Sequence, residues 1–288
     1  MKTSISTTLA AILLITPIGA IATAQDSTTD PAGTAEVLPT PQQVVDRMVE
    51  FNGGDKAIKD AKPVMTTGTF SVPQAQMTGK MTTWSAPPNL MRVDIQIPGL
   101  GTTMSGFNGT VGWTLDPTRG PSLMEGDMLD EIRREADPTS ILNLLEDFKE
   151  SKVVGRVTFE GVECLQLQLK QGKTVKDMFV EEKTGRLVGV KAVMPTPMGE
   201  LPTTSVIEKW ITIGPRKVPS RTVIKMMGME QVMQIDKVVT DSFNPDVFDL
   251  PPAIKALADA KKAAKKASDG DASSSGSKDS SSSSGGGR

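Results

Sequence analysis

Between Pro39 and Pro252, apolar and polar residues alternate with a two-residue period in eleven separate stretches. That period puts successive side chains on opposite faces and predicts β-strands. The first four run from Met65 to Val72, Gln76 to Ser85, Leu90 to Ile97 and Thr102 to Phe107, separated by Pro-Gln, Pro-Pro-Asn and Pro-Gly turn signals. The rest run from Lys152 to Phe159, Val162 to Leu169, Thr174 to Glu181, Leu187 to Met194, Thr204 to Ile213, Arg216 to Met226 and Gln231 to Asp241.

Three segments carry helical spacing instead. Gln42 to Phe51 places Val44, Val45, Met48, Val49 and Phe51 on one face and ends at Asn52-Gly53-Gly54, residues that tolerate positive φ. Asp127 to Arg134 shows Met128, Leu129 and Ile132, and Pro138 to Lys149 shows Ile141, Leu142, Leu144, Leu145 and Phe148, with Asp137 as its N-cap. This order excludes a parallel α/β fold. It predicts a mainly β (α+β) domain, one strongly curved antiparallel sheet with about three helices on its concave side.

The ends of the chain read differently. Lys2 precedes an apolar stretch from Leu9 to Ile21, and Ala22-Thr23-Ala24 has the small-x-small pattern of a signal-peptidase site, so residues 1–24 are read as a cleavable signal peptide. Pro17 and Gly19 interrupt the stretch, which falls short of the ~20 residues needed to cross a bilayer. Residues 25–40 read as a flexible leader and 41–252 as one domain. Residues 253–288, a Lys/Ala segment followed by a Ser/Gly tract, read as a tail too poor in apolar groups to offset chain entropy.

Composition then removes whole classes of chemistry. The 288 residues include no His, no Tyr and one Cys. Without imidazole there is no Ser-His-Asp or Cys-His triad and no ordinary zinc site, so a catalytic reading rests on carboxylates or lysines alone. Cys164 sits in an apolar alternation as a small packed hydrophobe. A net charge of −2 gives no footprint for nucleic acid, and no cofactor or phosphate-binding motif is present.

Three segments resemble one family. Gly79-Lys80-Met81-Thr82-Thr83-Trp84-Ser85-Ala86-Pro87-Pro88-Asn89-Leu90, the turn Phe107-Asn108-Gly109-Thr110-Val111-Gly112-Trp113-Thr114-Leu115-Asp116-Pro117, and Phe243-Asn244-Pro245-Asp246-Val247-Phe248-Asp249-Leu250-Pro251 occur in the order found in the outer-membrane lipoprotein-sorting (LolA-like) periplasmic carriers. The resemblance covers about Pro41 to Pro252. It implies an unclosed half-barrel plugged by helices, with an apolar cavity for acyl chains. In the family an Arg before the Pro-Asn of the first segment latches the helical lid, and here that place is Pro87. Arg92 is a candidate substitute, although strand alternation puts it on a solvated outer face. Independently, Asn108-Gly109 between two alternating runs predicts a type I′ hairpin.

Methionine is the other hint to function, with 16 Met against 8 Phe and 3 Trp. Flexible, polarizable side chains suit a cavity that reshapes around its ligand, and they equally fill an ordinary core. The candidate cavity residues are Met81, Trp84, Met91, Met104, Trp113, Met178, Met194, Met226 and Met233; the candidate lid residues are Met128, Leu129, Ile132, Leu142 and Leu145. Glu125, Asp127, Asp130, Glu131 and Glu135 crowd one helix, where interleaved Arg133 and Arg134 and the helix dipole explain them better than catalysis. Lys255, Lys261, Lys262, Lys265 and Lys266 form a basic run on a candidate short helix, either a solvated tail or a contact for anionic lipid headgroups or an acidic partner. The expected role is a non-catalytic periplasmic carrier of a lipid or lipidated protein, making transient contact with a membrane or membrane protein. The alternative is an envelope interaction or sensing module that uses the same fold to bind a protein.

Overall fold

The computed structural model describes residues 37–171, 174–196, 199–240 and 243–274. The segment read as a signal peptide, most of the segment read as a leader and the Ser/Gly tract lie outside these residues. The first helix, α1 (Pro41–Phe51), opens with a capping box: the Gln43 amide donates to Thr40 Oγ1 at 3.2 Å, and Gln43 Oε1 accepts from the Thr40 amide at 2.8 Å. It ends where Gly53 takes φ 105° and a short second helix, α2 (Gly54–Lys59), begins. The pattern does not predict α2, because its apolar content is only Ala57 and Ile58.

The sheet is built from two meanders. β1 (Val64–Val72), β2 (Met77–Ala86), β3 (Leu90–Ile97), β4 (Gly101–Asn108), β5 (Gly112–Asp116) and β6 (Gly120–Leu123) form the first. The second comprises β7 (Glu150–Phe159), β8 (Val162–Gln171), β9 (Thr174–Glu181), β10 (Leu187–Thr196), β11 (Gly199–Ile213), β12 (Arg216–Met226) and β13 (Met229–Thr240). Pairing of β1 with β13 joins them into one 13-stranded antiparallel sheet, ordered β6-β5-β4-β3-β2-β1-β13-β12-β11-β10-β9-β8-β7. The sheet does not close into a barrel, because β6 and β7 are its two edges. β5 is the returning strand that the Asn108-Gly109 hairpin predicts from Trp113 onward, whereas β6, at four residues, is too short for its alternation to register in the pattern.

This order dictates where the helices go. β6 and β7 are consecutive in sequence yet stand at opposite edges, so the chain between them must cross the open side of the curved sheet. That chain is α3 (Gly126–Ala136), the turns through residue 143 and α4 (Leu144–Asp147), and α3 touches β4 and β5 from one half and β10 from the other. The helix expected over Pro138 to Lys149 shrinks to α4. Asp137 is not its N-cap: it terminates α3, and its carboxylate accepts from the Thr139 amide and hydroxyl, both at 2.7 Å, which holds the chain in a turn.

Two apolar clusters fasten the helices to this inner face. Val44, Val45 and Met48 of α1 pack with Phe148 over Leu165, Leu167, Leu169, Met178 and Val180. Ile132 and Ala136 of α3 pack on Phe107, with Met91, Met124 and Leu129 around them. On the opposite face Cys164 is buried beside the stacked rings of Phe159 and Phe179, 4.0 Å apart. Burial pushes its thiol up to about 11, with Glu181 adding to the effect, so it stays protonated and inert.

Two further expectations are corrected. At Asn108-Gly109 only Gly109 takes positive φ, whereas Asn108 uses Oδ1 to accept from the Thr110 and Val111 amides at 3.2 and 2.8 Å. The turn is therefore closed by a side chain and is not type I′. The Lys/Ala segment is α5 (Pro252–Ser274), not a tail from residue 253. Ile254 is completely buried, α5 covers the β6 edge, and Lys255 and Lys261 pair with Asp259 and Glu125.

The burial of one residue in an otherwise polar segment gives a direct check on α5. Ile254→Ala should cost about 2–4 kcal/mol in chemical denaturation, the range of a buried aliphatic truncation. Leu257→Ala, at a side chain 39% exposed, should cost well under half of that. Equal, small effects from both would mean that α5 does not anchor to the domain. At the seam, a Cβ on Gly68 would stand 1.9 Å from the Gln234 carbonyl oxygen, whereas one on Gly155 would meet nothing. Gly68→Val should thus lower the melting temperature by several degrees, consistent with about 1–3 kcal/mol of overpacking, while Gly155→Ala leaves it nearly unchanged.

Candidate functional site

Alternation along the central strands decides what faces the helices. Val64 and Thr66 of β1, Met81, Thr83 and Ser85 of β2, Val93 of β3, Val218, Ser220 and Thr222 of β12, and Met233 and Ile235 of β13 line one hollow. Glu135 and Ala136 at the end of α3 close it from above, and Arg216 lies at the start of β12. Its volume is about 340 Å³, within the ~300–1,000 Å³ of small-molecule sites. The β1–β13 seam runs through its wall. Among the described residues no group of His, Cys, Asp and Glu is arranged to hold a metal ion.

The nominated cavity residues distribute over several environments. Met81 and Met233 line the hollow. Met91 and Met178 share the inner face but are packed beneath the helices as core. Trp84, Met104 and Trp113 lie on the outer face, since register places Trp84 opposite Arg92, Arg92 opposite Gly106, Gly106 opposite Trp113, and Met104 opposite Asp94. Met226 pairs with Met229 at the end of the β12–β13 hairpin, and the Met194 side chain lies outside the described residues. Of the lid residues, Leu129 and Ile132 pack on Phe107 and Leu145 on the α1 cluster. Met128 is half-buried, and Leu142, also half-buried, sits in the turn after α3, its amide bonded to the Thr139 carbonyl at 2.9 Å.

Arg92 does lie on the outer face, but it is not solvated. Its guanidinium forms two bonds to Asp94 at 2.8 and 2.9 Å, donates to the Val247 carbonyl at 3.1 Å, and stands 5.6 and 5.9 Å from the centres of the Trp84 and Trp113 rings. It clamps the C-terminal turn Pro245–Phe248 against β3 and β4 and has no access to the hollow, so it is not a substitute latch. Pro87, at the latch position, lines the hollow without supplying a charge.

Three ionisable groups line the hollow, Lys62, Glu135 and Arg216, and none of them is among the candidate cavity residues read from the sequence. Glu131 of the acidic cluster pairs with Lys176 at 2.5 Å and Arg134 at 2.8 Å; burial alone would raise it, but these cations hold it below its ordinary value. Asp130 pairs with Arg133. Glu135 instead projects into the hollow with no ion pair or hydrogen bond among the described residues, and burial, with a smaller push from Glu131, raises its carboxyl to about 7. Glu135 is exposed to solvent and at the same time closely surrounded by protein. The sequence signal lies in its position: Glu135 falls on the same stripe as Met128, Ile132 and Ala136. Arg216 likewise shares the parity of Val218, Ser220 and Thr222. Its Nε is buried without a partner, and burial weakens its hold on the proton although a guanidinium remains charged.

Comparison with known proteins identifies the architecture. No protein-family model and no curated protein matches the chain. Among solved structures it is similar to a DUF1329 family protein from Desulfovibrio piger, 11% identical with a TM-score of 0.52 over 74% of this chain and 98% of the other. It is also similar to a LolA superfamily protein from Nitrosomonas europaea, 15% identical with a TM-score of 0.49 over 74% and 99%. A third is an outer-membrane lipoprotein-sorting protein domain from Vibrio parahaemolyticus, 10% identical with a TM-score of 0.48 over 73% and 97%. At such identities the likeness is one of fold.

The environment of Glu135 makes stability depend on pH in a defined direction. Its native proton affinity exceeds that of the unfolded chain, so between the ordinary value of 4.5 and about 7 the folded state binds more protons, and stability falls as pH rises through that window. Water in the hollow screens the effect and reduces its size. Glu135→Gln should melt close to the parent at pH 4.5 and measurably higher at pH 8. A difference that stays constant across this range would refute the assignment.

Proposed function

We propose that this protein binds a lipid, or the acyl chains of a lipidated protein, in the hollow and carries it through the periplasm after export and removal of residues 1–24. The observation that carries the reading is the hollow itself: a space of about 340 Å³ with a predominantly apolar lining, built from six strands and capped by the end of a helix. Apolar surface left inside a folded domain loses the free energy its burial supplies elsewhere, about 25 cal/mol per Å², and an alkyl chain recovers it without requiring directional contacts. The reading is of binding without chemistry. The side chains that line the hollow are aliphatic groups, two thioethers, hydroxyls, one carboxyl, one ammonium and one guanidinium, and the chain contains no imidazole to activate a hydroxyl.

The test is titration of the mature protein with a fluorescent fatty-acyl probe. Saturable single-site binding is expected. Ile235→Trp and Thr222→Trp, which fill the hollow, should weaken it by about ten-fold or more, equivalent to about 1.4 kcal/mol. Lys237→Trp, exposed on the neighbouring stretch of β13, should leave it unchanged. Binding unaffected by both filling variants, or weakened equally by all three, would contradict the proposal.

A further inference from the structure

Arg216 is the cation of the hollow whose buried Nε has no partner among the described residues. It begins β12 opposite Ile213, directly after the Gly214-Pro215 turn, and from there Val218, Ser220 and Thr222 continue along the wall, about 20 Å of strand at ~3.4 Å per residue. Three buried side-chain nitrogens lack a partner among the described residues: Arg134 Nε, Trp210 Nε1 and Arg216 Nε. Arg134 still pairs with Glu131 through its other nitrogen atoms, and Trp210 carries no charge. Arg216 is left as a cation with neither an ion pair nor a side-chain hydrogen bond among the described residues. The other ionisable groups lining the hollow do not neutralise it: Glu135 makes no ion pair with it, and Lys62 has the same sign. A desolvated, unpaired guanidinium is costly, and a fork of five donors matches a carboxylate or phosphate in two parallel bonds.

We infer that Arg216 is a headgroup subsite, and that the hollow takes amphiphiles with an anionic head, carboxylate or phosphate, seated on Arg216. The tail then lies against Val93, Met81, Met233 and Ile235, with the Ser220 and Thr222 hydroxyls beside the first carbons. Glu135, whose carboxyl is raised to about 7, carries less negative charge near neutral pH than an ordinary carboxylate would. This rests on the reading of the hollow as an amphiphile site, and it adds the sign and position of the head.

The experiment displaces the fatty-acyl probe at pH 7.5 with four ligands of one chain length: palmitate, hexadecyl phosphate, hexadecanol and hexadecyltrimethylammonium. Both anions should bind the parent at least about ten-fold more tightly than the alcohol, the worth of a charge-assisted hydrogen bond in a dry site, and the cation most weakly. Whether palmitate or hexadecyl phosphate is preferred identifies the head. Arg216→Met and Arg216→Gln, checked for unchanged melting, should bring the anions down to the level of hexadecanol while hexadecanol itself holds within two- to three-fold; Arg216→Lys should restore part of the preference. Equal binding of alcohol and anions by the parent, or a preference that survives both neutral variants, overturns the subsite and leaves the carrier reading standing. Failure of all four ligands and the probe to bind removes both.

Discussion

The pairing of β1 with β13 is the constraint on which the rest of the structure depends. Without it the chain would be two separate meanders, each with two open edges. With it there is one sheet whose free edges, β6 and β7, are adjacent in sequence and remote in space. The connection between them has to cross the concave side, so the plugging helices follow from topology as much as from their own apolar stripes. The seam demands close approach of two backbones at a bulge, and Gly68 meets that demand by having no Cβ. Because the seam also forms part of the wall of the hollow, the contact that makes the fold makes the site.

The two faces use their polar groups differently. On the outer face Arg92 is fully engaged, with Asp94, a carbonyl and two indole rings satisfying its donors and its charge, and it stabilises the C-terminal turn that α5 continues. Around α3, Glu131, Arg134 and Lys176 neutralise one another. On the inner face Glu135 and Arg216 share the hollow without pairing. Buried ionisable groups are normally paired or expelled, and leaving them alone lowers stability. Their presence on the wall of a largely apolar hollow, Glu135 exposed and Arg216 half-buried, is the feature on which the proposed amphiphile site rests.

Much of the architecture was legible because it rests on local periodicity. The alternation marked all the longer strands, the helical spacing marked α1 and α3, and the order of elements gave a curved antiparallel sheet with helices inside. What escaped depends on tertiary context. β6 is too short to show a period, and Pro138 to Leu142 has apolar spacing but is held in turns by Asp137. α5 looked too polar to order, yet one buried Ile254 and the exposed edge of β6 suffice to dock it. For the site, residue type proved a weaker guide than parity. Met104 and Met178 are equally methionine, and one lies on the outer face and the other in the packed core. Glu135 and Arg216, conversely, were marked only as polar residues on apolar stripes.

On the proposed reading, the hollow is a place for a guest and not a defect in packing. Native mass spectrometry of the full mature chain purified from its own host tests this most directly, by comparing the intact mass under non-denaturing conditions with that after denaturation. The account predicts a single non-covalent adduct of one amphiphile per chain, released on unfolding and absent from a variant whose hollow is filled. Identical masses in both conditions, with no adduct acquired after incubation with excess alkyl amphiphile, would contradict it.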